Sequence, residues 1–330
     1  MANKSYSIVI PVYYNEGCLI PLMRSLAKEV FDANTNYNGE VIFVDDGSGD
    51  GSLQELRSIQ TEFPAIVTVI KLARNFGQAG ALLAGYSNAK GDCVITMSAD
   101  GQEPAEKVSE MLKVFFEENY EIVICARAIR EESLYRRITS RAYFYLMRKL
   151  AFKNMPEGGF DFWLMSRRAM NVFSRNLDAH PSAQGQVLWM GFRTKVLSCT
   201  RRARLAGISQ WTFGRKFTAF LDGILGYSFA PIRIMSLVGC LFSLIGFVYA
   251  GLIMIDTLLV GNPIKGWAPL MILVLVIGGF QMIMLGLIGE YLWRTLAQVR
   301  GRDAYLIDAV YKANAAATHP NPTGLGSIRL

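Results

Sequence analysis

Apolar and polar positions alternate in blocks along the first part of the chain, up to about residue 130. Short runs rich in β-branched residues, such as Ser7–Val12 and Cys93–Met97, are typical of buried parallel strands. Between such runs, apolar residues recur at helical spacing, as in Gly51–Glu62. Strands that alternate with helices predict βαβ units, and therefore an α/β domain built on a parallel sheet.

The same pattern sets bounds for the other elements of this domain. The predicted strands are Ser7–Val12, Glu40–Val44, Val67–Ile70, Cys93–Met97, Glu121–Cys125 and Arg193–Thr200. The predicted helices are Glu16–Phe31, Gly51–Glu62, Gln78–Asn88 and Pro104–Asn119. Gly158–Trp163 is predicted as a loop that leads into a further buried segment.

Two long uncharged spans, Ile234–Ile255 and Gly266–Gly289, lie in the last third of the chain. Each exceeds the roughly 20 residues that a helix needs to cross a bilayer. Asp256 and Lys265 are the only charged residues between them, whereas basic residues cluster on both outer flanks. The positive-inside rule therefore predicts a transmembrane hairpin with both ends, and the α/β domain, in the cytoplasm. Two buried core helices are the alternative.

A basic and aromatic stretch, Ser133–Phe152, lies between the α/β units and these spans. Its arginines and lysine alternate with tyrosine, phenylalanine and leucine at helical spacing. Such an amphipathic helix is typical of a membrane interface, although an ordinary surface helix with solvated arginines would show the same pattern.

We therefore predict four consecutive parts of the chain. They are a cytoplasmic α/β domain over 1–210, amphipathic juxtamembrane helices over 211–233, two transmembrane helices over 234–293 and a cytoplasmic tail over 294–330.

Composition restricts the partners and the compartment. The 330 residues are 52% hydrophobic, with a mean hydropathy of +0.25 and a net charge of +7. Because the basic clusters lie among apolar and aromatic residues, we assign this charge to membrane lipids and phosphorylated ligands and expect no nucleic acid. The five scattered cysteines form no C-x-x-C pair and the two histidines lie far apart, so we expect neither disulfides nor a zinc site. We also expect no cleavable signal peptide, because the chain leads almost directly into a strand.

Polar residues follow four of the predicted strands at their carboxyl ends, where open α/β sheets bind ligands. Asp100 and Gln102 offer two oxygens to a hard divalent cation that also contacts a diphosphate. A polar turn that caps the strand is the alternative for these two residues. The sequence contains no G-x-G-x-x-G and no G-K-[ST], so the phosphate-binding loops of dinucleotide-binding and P-loop proteins are missing.

The ordered motifs resemble family 2 glycosyltransferases, and within them the membrane-anchored polyprenyl-phosphate glycosyltransferases. That group includes bactoprenol glucosyltransferases, aminoarabinose transferases and dolichol-phosphate mannose synthase. The resemblance runs from Ser7 to about Arg302. The motifs that carry it are Pro11-Val12-Tyr13 with Asn15-Glu16, Val44-Asp45-Asp46-Gly47-Ser48, Arg74-Asn75-Phe76-Gly77, Asp100-Gly101-Gln102-Glu103-Pro104, Gly159-Phe160-Asp161-Phe162-Trp163, Arg204-Leu205-Ala206-Gly207-Ile208-Ser209 and Gly286-Leu287-Ile288-Gly289-Glu290-Tyr291.

This resemblance implies a GT-A fold, which is Rossmann-like, inversion at the anomeric carbon and the use of Mg²⁺ or Mn²⁺. Carried over residue by residue, it implies nucleoside binding by Pro11, Tyr13, Glu16 and Asp45, metal binding by Asp100 and Gln102, and acceptor-phosphate binding by Arg127, Arg136 and Ser140. It places Arg204 and Ser209 on a loop that closes over the donor diphosphate.

Three further residues are candidates for the donor side of the site. Arg74 and Ser98 stand at strand ends, and we predict that they bind the donor. Asp161 is predicted to contact the donor sugar or the active site, with an ordinary loop acid as the alternative. For Asp45, a role as a helix cap is the alternative to nucleotide binding.

The chain departs from the family pattern at three places. Ser98 stands where an acid is usual, so D-x-D becomes S-x-D and a carboxylate near the sugar is missing. Gln210 stands where a lysine is usual, and Lys216 or Arg215 are candidates to compensate. Tyr14 adds a residue to the usual P-V-Y-N-E motif.

The resulting hypothesis is an enzyme of the bacterial inner membrane that transfers a sugar to undecaprenyl phosphate at the cytoplasmic face. UDP-glucose is the leading hypothesis for its donor. The lipid-linked sugar would serve envelope or O-antigen (lipopolysaccharide) modification, and the protein could form a homo-oligomer. One alternative keeps the acceptor but uses a hexosamine, aminopentose or mannose donor. Another, suggested by Ser98 and Gln210, is a degenerate subunit that binds nucleotide-sugar or lipid phosphate without turnover.

Overall fold

The computed structural model of the chain describes residues 4–127, 144–152, 154–156, 158–175, 182–200, 202, 223–260 and 267–312. The strands found in these ranges are β1 (Ser5–Val12), β2 (Asn38–Asp45), β3 (Val67–Leu72), β4 (Cys93–Thr96), β5 (Ile122–Arg127), β6 (Phe162–Ser166), β7 (Thr194–Cys199) and β8 (Ile307–Tyr311). The longer helices are α1 (Leu19–Leu26, continued by a π-helical turn, Ala27–Phe31), α2 (Ser52–Glu62), α3 (Gly77–Asn88), α4 (Glu106–Glu118), α5 (Arg167–Arg175), α6 (Ala183–Trp189), α7 (Ala230–Val260) and α8 (Trp267–Val299).

The eight strands form one mixed sheet in the order β7-β5-β6-β4-β1-β2-β3-β8. Strands β4, β1, β2 and β3 are parallel neighbours, as the βαβ pattern predicts. Both faces of the sheet are covered: Ile8 and Ile10 of β1 belong to a core layer with α1, α2 and α4, and Val9 belongs to the layer with α3, α5 and α6. This double burial explains why the parallel strands are almost continuously apolar. The predicted α/β fold is therefore confirmed.

The predicted elements of the sheet are found with small shifts of their ends. The six predicted strands correspond to β1 to β5 and β7, and their ends differ by one or two residues from the predicted ones. Strand β6 corresponds to the buried segment after the predicted loop Gly158–Trp163, for which the sequence pattern predicted neither helix nor strand.

Strand β6 runs antiparallel between two strands that point the other way. Trp163 of β6 is the register partner of Thr96 in β4 and of Ile124 in β5. Its first residue, Phe162, therefore lies at the edge of the sheet where β4 and β5 end. The residue before it, Asp161, is brought to the same edge as the residues that follow the parallel strands.

Strand β8 completes the sheet beside β3 and was not predicted from the sequence. It pairs antiparallel with β3, so that Ile307 lies opposite Leu72 and Tyr311 opposite Val69. The Lys71 ammonium forms a 2.5 Å ion pair with Asp308. The segment Ala304–Tyr311, here called the C-terminal strap, thus ends in a strand of the sheet, although it was predicted as part of a tail over 294–330.

Helices α7 and α8 are long and apolar enough to cross a membrane. Their most apolar stretches are Ala230–Tyr249 and Val276–Val299, with mean hydropathies of 2.0 and 1.4. None of either stretch is buried inside the described part of the protein, which distinguishes them from core helices. Both helices extend beyond the predicted spans.

Several predicted segments fall outside the described residues. The amphipathic helix predicted over Ser133–Phe152 is described only from residue 144, and residues 144–150 are helical. Of the juxtamembrane region predicted over 211–233, the structure describes residues 223–233, with a helical turn at 223–227.

The close approach of the strap to α3 supplies a stability test. A Cβ added at Gly80 would lie 2.8 Å from the Ala304 carbonyl oxygen and 2.8 Å from the Phe76 Cβ. We expect Gly80→Ala to push the strap off α3 and lower the unfolding free energy by about 1–3 kcal/mol, because overpacking forces backbone shifts. Thermal unfolding in detergent measures this.

Gly226→Ala is the matched control, because no described atom lies within 4 Å of a Cβ added there. Equal unfolding midpoints for the two variants would contradict the packing of the strap on α3.

Candidate functional site

Asp45, the last residue of β2, is a fully buried carboxylate at the carboxyl edge of the sheet. Its Oδ1 accepts a 3.2 Å hydrogen bond from the Ser48 backbone N–H. Its Oδ2 is buried and has no hydrogen-bond partner within the described residues. Burial raises the pKa of this carboxyl above its usual value, against the hydrogen bonds from Ser48. An unpaired buried acceptor of this kind is costly and suits a ligand with an N–H donor.

The loop after β1 lies next to Asp45, since Val12 and Asp45 are register partners. Pro11, near the end of β1, and Tyr13, in this loop, are half-buried, whereas Tyr14 is exposed and has a φ of +55°. The extra residue of the motif is therefore accommodated by a left-handed conformation at Tyr14.

Glu16 lies at the outer side of this loop and is exposed. Its Oε2 accepts a 2.9 Å hydrogen bond from the Gly51 backbone N–H at the start of α2. Glu16 thus joins the loop after β1 to the loop after β2, and its predicted role in nucleoside binding stays a prediction.

Asp46 joins the loop after β2 to the loop after β3. It is 3% exposed, and its Oδ1 accepts a 2.7 Å hydrogen bond from the Phe76 backbone N–H. Burial raises the pKa of Asp46 to about 6, against the hydrogen bonds from Phe76 and Gly77. Asp46 thus positions the segment that carries Arg74, whose exposed guanidinium stacks 4.1 Å from the Phe76 ring centroid.

The loop after β4 gathers oxygen atoms from several side chains. The Ser98 hydroxyl lies 2.8 Å from Asp100 Oδ1 and also contacts Glu103 Oε2. The Gln102 backbone N–H donates to Asp100 Oδ1 at 3.2 Å. Ser98, Asp100 and Gln102 are half-buried, and Glu103 is 4% exposed.

These oxygens fit a divalent cation that is only partly held by protein. The described residues contain no group of three or more His, Cys, Asp or Glu side chains placed for a metal. Mg²⁺ and Mn²⁺ sites in nucleotide-binding proteins are commonly built from one or two protein oxygens, water and phosphate. Asp100 and Gln102 match that donor set in number and in chemistry.

Arg127 and Asp161 form an ion pair at the same edge, between the end of β5 and the start of β6. Their side chains are 37% and 22% exposed, so the pair opens toward solvent. The Gln184 amide on α6 donates a 2.6 Å hydrogen bond to Asp161 Oδ1. Gln184 was missed in the sequence, where the only signal was the polar start of a short apolar helix.

Arg202 is the second residue that the sequence analysis did not single out for the site. Its backbone N–H donates a 2.9 Å hydrogen bond to the Gln102 carbonyl, and its guanidinium pairs with Glu106 at 2.7 Å. The segment after β7 is thereby joined to the loop that carries Asp100. In the sequence, Arg202 is one of several basic residues that precede the apolar spans, and nothing there links it to the loop after β4.

The structure thus brings ten of the fourteen predicted site residues to one edge of the sheet, and their roles stay predictions. These ten are Pro11, Tyr13, Glu16, Asp45, Arg74, Ser98, Asp100, Gln102, Arg127 and Asp161. The predictions for Arg136, Ser140, Arg204 and Ser209 lie outside the described residues.

Comparison with known proteins gives matches over nearly the whole chain. A family model described as "Glycosyl transferase family 2" matches residues 7–173. An uncharacterized glycosyltransferase of Bacillus subtilis (strain 168), YkcC, is 33% identical over 307 residues, or 93% of this chain and 94% of that protein. The SfII prophage-derived bactoprenol glucosyl transferase of Shigella flexneri is 31% identical over 309 residues, or 93% and 99%.

Solved structures show a more distant likeness. The mannosyltransferase PcManGT from Pyrobaculum calidifontis, in complex with GDP-Man and Mn²⁺, is 16% identical, with a TM-score of 0.49. The match covers 69% of this chain and 64% of that chain.

The buried carboxyl of Asp46 makes stability depend on pH in a defined direction. Because its pKa is raised from 3.8 to about 6, the folded chain binds a proton between these values that the unfolded chain releases. Its contribution to stability is therefore present at low pH and is lost as the pH rises to about 6.

Asp46→Asn keeps an oxygen acceptor for the Phe76 N–H. We expect its unfolding free energy to rise relative to that of the parent protein as the pH increases from 4.5 to 7.5. The expected gain in unfolding free energy is about 2 kcal/mol. Denaturation followed by tryptophan fluorescence measures the difference. Asp32→Asn, at an exposed position, controls for the loss of one negative charge. A difference that is flat with pH for Asp46→Asn would contradict the assignment.

Proposed function

This chain belongs to glycosyl transferase family 2, and we propose that it transfers a sugar from a UDP-sugar to undecaprenyl phosphate at the cytoplasmic face of a bacterial inner membrane. Glycosyl transfer follows from family membership. The lipid acceptor is supported by the relatives that are named bactoprenol glucosyl transferases. Glucose as the donor sugar is supported by those same names.

The observation that carries the nucleotide part of the proposal is the buried Asp45. Its Oδ2 needs one N–H donor, because Oδ1 already accepts from Ser48. The uracil ring offers a single N–H at the edge that a carboxylate can bind, whereas guanine offers a ring N–H and an amino group together. One open carboxylate oxygen therefore favours a uracil base.

Asp100 and Gln102 would hold Mg²⁺ or Mn²⁺ against the donor diphosphate, as their oxygen donor set allows. When bound, the cation neutralises the negative charge that develops on the departing diphosphate. Ser98 takes the place of a second carboxylate in this loop, so the chain itself brings one charged ligand.

The proposed reaction needs no strong general base. A phosphate oxygen of the acceptor is already anionic at neutral pH, and it attacks the anomeric carbon as the bond to the diphosphate oxygen breaks. A carbon–oxygen bond forms to the lipid phosphate, and the nucleoside diphosphate leaves with the electron pair. The rate acceleration would then come from positioning of the two substrates and from stabilisation of the charge on the leaving diphosphate.

Arg127 would orient the acceptor phosphate in this reaction. Its ion pair with Asp161 and the hydrogen bond from Gln184 to Asp161 keep the guanidinium at the edge of the sheet. A guanidinium held in one orientation can bind two phosphate oxygens at once.

The strap supports delivery of a membrane-bound acceptor to this edge. We infer that α7 and α8 span the bilayer, because they are long, apolar and flanked by arginines. From Val299, the end of α8, to Ile307 there are eight residue steps, which reach at most about 28 Å. Ile307 lies opposite Leu72, at the carboxyl end of β3, so the catalytic edge stays near the membrane.

A donor panel tests the reaction. Protein purified in detergent is given undecaprenyl phosphate, Mg²⁺ or Mn²⁺, and a series of UDP- and GDP-sugars, and release of nucleoside diphosphate is measured. We expect release with one UDP-sugar, and a loss of about 100-fold or more in Asp100→Ala, because the charged ligand is removed.

Asp32→Asn serves as the control for this assay, since its exposed carboxylate lies away from the site. Release with a UDP-hexosamine or a UDP-aminopentose donor would overturn the glucose assignment alone, whereas release with GDP-mannose would overturn the uracil base as well. Absence of release with every donor, with nucleotide binding intact, would overturn the enzyme in favour of a binding subunit.

Base recognition is tested separately with Asp45→Asn. The amide places an N–H₂ group or a weaker acceptor before the base, so we expect UDP affinity to fall by about 10- to 100-fold. The upward shift of the thermal midpoint with UDP, measured without acceptor, reports this affinity. An unchanged shift would contradict the contact between Asp45 and the base.

A further inference from the structure

The loop after β4 contains a buried carboxylate that the proposed function does not use. Glu103 is 4% exposed, although carboxylates are rarely buried without strong partners. Its Oε2 accepts a 3.2 Å hydrogen bond from the Ser98 backbone N–H and also contacts the Ser98 hydroxyl. Both of these contacts are made to Ser98, whose hydroxyl lies in space between the carboxylates of Glu103 and Asp100.

The hydroxyl of Ser98 touches two carboxylates but has one hydrogen. It lies 2.8 Å from Asp100 Oδ1 on one side and in contact with Glu103 Oε2 on the other. When the hydroxyl donates to Glu103, its lone pairs turn toward Asp100. Two oxygens that face each other with lone pairs repel each other, and a cation bound between them, like a shared proton, removes that repulsion.

Asp100 Oδ1 also accepts a 3.2 Å hydrogen bond from the Gln102 backbone N–H. The side chains of Ser98, Asp100 and Gln102 thereby stand on one turn of the loop and are half-buried. Glu103 stands behind them and is buried. In metal sites, a charged residue behind the metal ligands commonly hydrogen-bonds to one of them, orients it and makes it a stronger electron donor to the metal. Glu103 has this position relative to Ser98.

We infer that Glu103 is a positioning residue for the metal: it fixes the Ser98 hydroxyl so that its oxygen joins Asp100 and Gln102 in binding the divalent cation. The inference rests on the proposed function, because it assumes a cation at Asp100. The carboxylate absent from position 98 is thus supplied five residues later, through a hydroxyl.

The charge on Glu103 can be removed while an oxygen acceptor for Ser98 is kept. In Glu103→Gln the amide oxygen can still accept from the Ser98 N–H and O–H, so the contacts to Ser98 are kept while the negative charge is lost. We expect Mn²⁺ affinity in the presence of UDP to fall by about tenfold, as for other supporting residues of metal sites. Electron paramagnetic resonance of free Mn²⁺, with full-length protein in detergent, measures the affinity without turnover.

Two further variants distinguish this role from a structural one. If Glu103 acts through Ser98, Ser98→Ala combined with Glu103→Gln binds Mn²⁺ no more weakly than the weaker single variant. Ser98→Asp combined with Glu103→Gln moves the carboxylate to position 98 and restores the affinity. Glu110→Gln, which breaks a surface ion pair with Lys107 on the same helix, is the matched control and leaves the affinity unchanged.

Unchanged Mn²⁺ affinity in Glu103→Gln, losses that multiply in the double variant, or no rescue by Ser98→Asp would each overturn the inference while leaving the proposed function intact. A parent protein that binds UDP but not Mn²⁺ or Mg²⁺ would overturn the inference together with the metal-dependent reaction. If Glu103→Gln fails to fold, Ser98→Ala carries the test, because the inference requires it to weaken Mn²⁺ binding.

Discussion

Burial of carboxylates at the carboxyl edge of the sheet is the constraint around which the loops of this protein are arranged. Asp45, Asp46 and Glu103 are 0%, 3% and 4% exposed, and a buried carboxylate is tolerated only beside hydrogen-bond donors or a cation. Backbone donors supply part of this need, namely the N–H groups of Ser48, Phe76 and Ser98. The loops after β2, β3 and β4 therefore adopt conformations that direct backbone N–H groups at the buried carboxylates. A bound ligand would supply the donors that the backbone does not.

The C-terminal strap limits the distance between this edge and the end of the second apolar helix. Strand β3 would otherwise be an edge strand with unpaired backbone groups, and β8 covers it with residues that follow α8 in the chain. The sheet is therefore complete only once both apolar helices have been made. Contacts of such high sequence separation, for example the ion pair of Lys71 with Asp308, carry a large loop-closure cost in folding. The fold thus couples completion of the catalytic sheet to the presence of the helix pair.

The parallel strands and the site residues at their ends could be predicted from the sequence, because local sequence pattern determines them. The β-branched strands and the strand-end rule led to Asp45 and Asp100, because a parallel sheet collects its carboxyl ends at one edge. Strand β6 gave a weak signal, since Phe162–Ser166 contains no β-branched residue and follows two glycines. Strand β8 is short and stands after the helix pair, where only its partner β3 identifies it. The contacts of Gln184 and Arg202 depend on tertiary placement, which no spacing in the sequence encodes.

Position 98 shows how the same loop can keep its charge and change its chemistry. A carboxylate on Glu103 keeps a negative charge in the turn but buries it, whereas the half-buried Ser98 presents a neutral hydroxyl. Under the proposed function, the field at a bound cation would be nearly kept, because charge acts over several ångströms in a medium of low dielectric constant. Hydrogen bonding to a donor sugar would differ, because a hydroxyl donates as well as accepts, whereas a carboxylate only accepts. Metal binding and sugar recognition, which a single acid would combine, would then be separable in this chain.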